Sequence, residues 1–320
     1  MIRNLLKAAN ALTLATAAIL LLGGCSKNTI IIDGDWKPGQ SNGGSSNPDD
    51  NTLVTFNAAV EGRNLFRSMT PMPKGIQNQV FAYQAASGNN TDGTPEAHGL
   101  YVTSSPGVLT GSDGYKMFLS NGVYNFYAVS DNFSRIPPVF TNGESEPLFN
   151  GIDYLWWTGT QQDVTSTQIN IPIVYMHVAT QVVFEVAGGE GITFNKLISA
   201  TITPPEPGAT MNLGTGVITP ATAYGSIDKL GINGTIAQYI MLPLKNSQPM
   251  TLTLDVLVGN EPAPRIYTAQ IPLPDGELSA GNSYLFKTVI NENTVSFPSV
   301  YIKDWTEVDE TGKPIYPVQK

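Results

Sequence analysis

The nine residues TLTLDVLVG, at 251–259, place Leu252, Leu254, Val256 and Val258 at every second position, with Thr251, Thr253 and Asp255 between them. Successive side chains of an extended chain point to opposite faces, so this spacing builds one apolar and one polar face, the mark of a half-buried β-strand. Outward from this stretch the same period recurs in TLVTFNAAV (Val54, Phe56, Ala58, Val60), in QVVFEV (Val182, Phe184, Val186) and in SYLFKTVI (Tyr284, Phe286, Thr288, Ile290). No window of a dozen residues repeats with a period of 3.6. Clusters such as SGNNTDG, TNG, GGEG, LGTG and LPDG punctuate the runs, as expected for short strands joined by turns. The expected class is therefore all-β, built as sandwiches.

The chain of 320 residues starts differently. Arg3 and Lys7 precede AANALTLATAAILLL, residues 8–22, an apolar run of the length of a secretory leader and shorter than the ~20 residues of a membrane span. Leu22, Gly23 and Gly24 then lead into Cys25, the single cysteine of the chain. This arrangement resembles the lipobox of bacterial lipoproteins, which implies cleavage between Gly24 and Cys25 and lipidation of the Cys25 thiol. Acyl chains contribute ~0.8 kcal/mol per buried methylene, enough for two or three of them to hold a protein on a membrane. Residues 1–24 are thus expected to be a leader. Residues 25–51, rich in Gly, Ser, Asn, Asp and Pro, are expected to be a flexible linker.

Removing Arg3 and Lys7 with the leader leaves 15 basic against 26 acidic residues, a net charge of −11, which disfavours nucleic acid and anionic lipid surfaces as partners. With no second cysteine, an exported fold must rest on burial rather than on disulfides. The run IPIVYMHVATQVVFEV, 171–186, reads as the last strand of one series continuing into the first of another. The division is expected there, giving an N-terminal region of residues 52–174 and a C-terminal region of residues 175–320.

Residues that carry chemistry are sparse. His98 and His177 are the only histidines, and neither lies near a second His or Cys at ligand spacing, so both read as core or surface residues, and no metal or other cofactor is expected. There is no HExxH, GxSxG or phosphate-cradling glycine loop. Asp113, Glu144, Glu146 and Asp153 are loop carboxylates that could act as a hydrolase only as a pair across a cleft, and an enzyme is not expected. Adjacent Trp156 and Trp157 in DYLWWTG face opposite sides of a strand, so at least one can be exposed; filling the core is the commoner role for such residues, but both are candidate glycan contacts. That is the alternative reading: a surface lipoprotein that binds glycans through exposed aromatics and does not polymerise.

The two ends of the folded region draw more attention. Behind TLVTFNAAV comes EGRNLFRSMTPMPKGIQ, a basic, turn-forming segment suited to an arginine- or lysine-specific protease. At the other end NTVSFPSVYIKDWTEV is strand-like but interrupted by Pro298, as in an edge strand or a detachable arm.

With these ends, the order of GVYNFYAVS, DYLWWTG, IVYMHVATQVVFEV, MNLGTGVIT, YIMLPL and AGNSYLFKTVINENTVSFPSVYIKDWTE resembles the Bacteroidetes fimbrillins of the Mfa-like type, which build type V pili. The resemblance implies two transthyretin-like Greek-key β-sandwich domains in tandem and export as a lipoprotein to the outer membrane. It also implies an extracellular cut that removes the first strand, and filling of the gap by the C-terminal strand of another fimbrial subunit in the fimbrium. Carried onto this sequence, the removable strand holds Val54, Phe56, Ala58 and Val60, and the cut follows Arg67 or, second, Arg63. The donor arm holds Val295, Phe297, Val300, Ile302 and Trp305. Host or bacterial surface receptors are further implied partners. The reading fails if the first strand lies in the middle of its sheet with the segment after it shielded from proteases.

Overall fold

The computed structural model describes residues 51–62, 69–87, 91–303 and 305. The leader, Gly24, Cys25, nearly all of the linker, and both Arg63 and Arg67 lie outside the described residues.

Alternation becomes strand wherever it was read. Among the described residues the first eleven strands are β1 (Asn51–Glu61), β2 (Met69–Pro71), β3 (Gln77–Gln84), β4 (Ala97–Ser105), β5 (Val108–Gly111), β6 (Met117–Ser120), β7 (Gly122–Ser130), β8 (Phe140–Thr141), β9 (Glu144–Ser145), β10 (Leu155–Val164) and β11 (Gln168–His177). The others are β12 (Thr180–Gly188), β13 (Phe194–Ile202), β14 (Asp228–Lys229), β15 (Gly231–Asn233), β16 (Ile236–Met241), β17 (Leu244–Lys245), β18 (Met250–Val258), β19 (Arg265–Ile271), β20 (Glu277–Leu278), β21 (Ser283–Ile290) and β22 (Val295–Lys303). The fold is all-β, with helix confined to short 3-10 turns among the described residues. In β18 every second residue is buried, so TLTLDVLVG presents the leucine and valine face to the core as its spacing requires.

The first nine-stranded sheet runs β11-β10-β7-β3-β4-β5-β1-β2, with β6 also on β1 and a parallel β1–β11 pairing that returns the path on itself. The second region has a five-stranded sheet, β15-β16-β12-β21-β22, and a four-stranded sheet, β14-β13-β18-β19. These two bury a common core that includes Val182, Phe184, Leu252, Leu254 and Phe286. The long sheet holds no strand beyond His177, and the five- and four-stranded sheets none before Thr180.

The two regions are stitched by side chains and backbone. One cluster joins Phe81, Tyr127, Leu148, Tyr154 and Trp156 to Met211, Leu213, Ile218, Ile240 and Leu242. The loops around it close its backbone polar groups: Leu213 N–H donates to Gly143 O at 2.7 Å, Leu148 to Ala209 at 2.8 Å and Gly151 to Ile240 at 2.8 Å. Buried backbone groups cost free energy unless paired, so these bonds let irregular loops lie against a packed core.

Candidate functional site: the first strand, the last strand and the aromatic clasp

β1 owes its place to its sequence. Its alternation buries Thr52, Val54, Phe56, Ala58 and Val60, each no more than 6% exposed. Phe56 meets Tyr101 edge-on at 5.3 Å and Phe126 at 6.0 Å between ring centroids, the geometry aromatic quadrupoles favour. Both backbone edges of β1 are occupied. On one side Leu53–Val60 run parallel to Gln168–Tyr175 of β11. On the other, Asn51–Val54 pair with β6, Asn57 with β5, and Ala59–Glu61 with β2. Thr55 Oγ1 adds a bond to Ile169 O at 3.1 Å. β1 is thus an interior strand filling a slot between β11 and β6, β5 and β2.

Glu61 and Met69 are register partners in the β1–β2 hairpin, and residues 63–68 between them lie outside the described residues. All three residues of β2 are exposed, Met69 to 63%. The chain therefore emerges at the surface directly after the stretch that carries both arginines.

β22 is built to the opposite plan. It pairs only with β21, so one row of its backbone groups has no ladder partner. Its register slips between Lys287 and Val289, putting Phe297 and Pro298 opposite Thr288, a bulge that accommodates a residue without an N–H. None of its residues is fully buried. Val295, Phe297 and Val300 lie against the second region's core, with Phe297 edge-on to Phe184 and Phe286 at 6.4 and 6.2 Å. Ile302 is 62% exposed, and its neighbour Tyr301 is exposed as well.

Past β22 the chain does not simply leave. Trp305 stacks on His177, the last residue of β11, with centroids 4.1 Å apart and planes 15° from parallel. His177 Nδ1 and Asp153 Oδ1 are 2.7 Å apart, both side chains being buried. Asp153 also accepts from Asn132 Nδ2 at 2.9 Å. Nearby, Asp131 is paired with Arg135 at 2.6 Å, yet its pKa is pushed up to about 6 because burial outweighs the guanidinium. Nothing in the sequence signals that Trp305, on the arm, and His177, in a strand, meet.

The tryptophans of DYLWWTG differ in burial. Trp156 is 6% exposed, and its Nε1 donates to Leu213 O at 2.7 Å. Its indole lies where a Cβ on Gly216 would sit, 2.4 Å from Trp156 Cδ2, and Gly216 takes φ 69°, so the LGTG turn is shaped to cover the ring. No face of Trp156 is left for a sugar, which removes it as a glycan contact. Trp157 is half-buried and lies over Gly159 of its own strand. His98 stacks on Phe81 at 5.6 Å, and burial lowers its pKa. Glu144 accepts from Asn212, and Glu146 accepts from Val139 N–H, so these loop carboxylates brace loops. Among the described residues no group of three His, Cys, Asp or Glu side chains could hold a metal, and no helix is long and apolar enough to cross a membrane.

Comparison with known proteins agrees with this architecture. A protein provisionally described as a cell adhesion protein from Bacteroides uniformis matches with a TM-score of 0.59 at 17% identity, covering 81% of this chain and 100% of the other. A second so described, from Bacteroides ovatus, gives 0.61 at 14% identity over 81% and 99%. A third, from Bacteroides fragilis, gives 0.52 at 14% over 81% and 99%. At such identities the likeness is one of fold. No curated protein sequence matches the chain. The family described as fimbrillin-like matches residues 68–305, a span that opens one residue after Arg67 and closes at Trp305. The chain therefore belongs to the fimbrillin-like family.

Proposed function

We propose that this chain is a fimbrial subunit, exported as a lipoprotein through Cys25, whose first strand is a placeholder removed by cleavage after Arg67, or after Arg63. The vacated slot takes the C-terminal arm of another subunit, and chains joined in this way form a type V fimbrium on the outer membrane. In this reading residues 52–174 and 175–320 are tandem transthyretin-like sandwiches, the first receiving an arm and the second donating one.

The observation that carries the proposal is the double pairing of β1. An edge strand would leave, on removal, one row of unpaired backbone groups; an interior strand leaves two rows and a trough lined for Val54, Phe56, Ala58 and Val60. Such a trough is completed by β-augmentation, the mode the chaperone-assisted pilins use. Val54, Phe56 and Val60 at ~1.5–3 kcal/mol each make the unoccupied slot costly, so it does not stay empty. The covalent link matters equally. While β1 is tethered its effective concentration is on the order of millimolar, which shuts out a competitor; a cut removes that advantage.

Sequencing the N-termini of subunits recovered from assembled fimbriae tests this. Chains starting at Ser68 or Asn64 are expected, and Arg67→Ala is expected to shift or block maturation with the melting temperature unchanged. Subunits that polymerise with β1 still attached would overturn the proposal.

A further inference from the structure

The His177 and Trp305 contact has no part in holding β1, yet it sits at the end of the strand that does. β11 is flanked by β1 along Gln168–Tyr175. Its pairing with β10 is limited to His177 with Leu155 and Met176 with Trp156. β1 therefore supplies most of the ladder that fixes β11, and His177 lies two residues beyond the last β1 partner, Tyr175.

We infer that His177 and Asp153 form a clasp that keeps the C-terminal arm on its own subunit while β1 is present and lets it go when β1 leaves; as a statement about assembly this rests on the arm-donation reading above. Three features carry it. The platform is preformed, since Asp153 fixes the imidazole and Asn132 fixes Asp153, so Trp305 meets a ring already oriented. The grip is reversible, because it consists of a stack and partial burial. The indole N–H of Trp305 is buried without a hydrogen-bond partner among the described residues and gains water on leaving. The rest of the arm is weakly held, β22 being an edge strand with no fully buried residue, so a contact at its end changes how readily it peels. Loss of β1 strips β11 of its ladder along Gln168–Tyr175 and leaves it held by two register pairs to β10 and by Val178 N–H on Tyr154 O, and the platform at its end loses rigidity with it. A subunit would thus offer its arm chiefly when its own slot is open.

Hydrogen exchange read by mass spectrometry on the full chain tests the clasp. In the uncut protein Trp305→Ala and His177→Ala are expected to speed exchange of 295–303 about 2- to 10-fold, the range an aromatic pair implies. His177→Phe, which keeps a ring for Trp305 without the Asp153 pair, restores most of the protection. Trp305 is only partly buried, at the margin of the core cluster, so the test stands even if His177→Ala folds poorly. After cleavage and loss of β1, wild type and Trp305→Ala are expected to exchange alike in this segment. Unchanged exchange in uncut Trp305→Ala overturns the clasp. Protection in 295–303 that survives loss of β1 and still depends on Trp305 overturns the coupling. Exchange that behaves as expected in chains that stay monomeric after losing β1 upholds the clasp and its coupling, and instead overturns the arm-donation reading.

Discussion

β1 and β22 are both strands that carry a Phe, but β1 alternates throughout, whereas β22 is interrupted by Pro298, and their structural fates are opposite. β1 buries five residues and is laddered along both edges, whereas β22 buries none fully and is laddered along one. Position separates them as well as sequence: β1 fills a slot between existing strands, and β22 lies at the edge of its sheet. In a protein that exchanges strands this asymmetry has a use. On the proposed exchange, the strand whose loss creates a demand is central, and the strand that meets it lies at an edge.

The largest effect expected from this contrast is on stability. Phe56→Ala, in a slot closed on all sides, is expected to cost the uncut chain about 3–5 kcal/mol by denaturant unfolding. Phe297→Ala, on a partly exposed edge, is expected to cost about 1–2 kcal/mol. Equal losses would break the comparison. Next in size, amides of 53–60 are expected to exchange about an order of magnitude or more slowly than those of 295–303. Thr55→Val, which deletes the Oγ1 bond to Ile169 O, is expected to cost about 0.5–1.5 kcal/mol. Thermal unfolding then reads how much the β1–β11 seam owes to side chains.

The smallest effect concerns the ground beneath the clasp. Asp131 has a folded pKa raised to about 6, so the folded state binds its proton more tightly than the unfolded state does. Its contribution to stability is complete below the unfolded carboxylate pKa of about 4 and is lost as pH rises through about 6. Asp131→Asn is expected to flatten stability against pH across that window while leaving the exchange of β22 unaltered.

Much of this architecture could be read beforehand, and the unread part has a common cause. Period-two alternation is a local property, so β1, β12, β18 and β21 appear in the sequence with their inward faces correct. Which strand lies beside which is not local. The parallel pairing that makes β1 interior joins residues more than a hundred positions apart, such as Thr55 with Asn170, and nothing in TLVTFNAAV distinguishes an interior strand from an edge. The adjacent tryptophans show the same limit: alternation says that they face opposite ways, but only the LGTG turn arriving over Trp156 decides which is covered. Gly216 was a sign of this, legible in the sequence merely as a turn. The clasp was the least visible, because Asp153, His177 and Trp305 come from three separate segments and no spacing in the sequence signals that they meet.

The most direct test of a fillable slot is a peptide. A synthetic segment with the sequence of residues 293–308 is added to the chain either intact or after cleavage and removal of β1, and the complex is weighed by native mass spectrometry. One peptide bound per β1-less chain, displaced by a peptide of residues 51–61 and absent from the intact chain, is the expected result. Failure to bind the β1-less chain, or equal binding to both forms, contradicts the account.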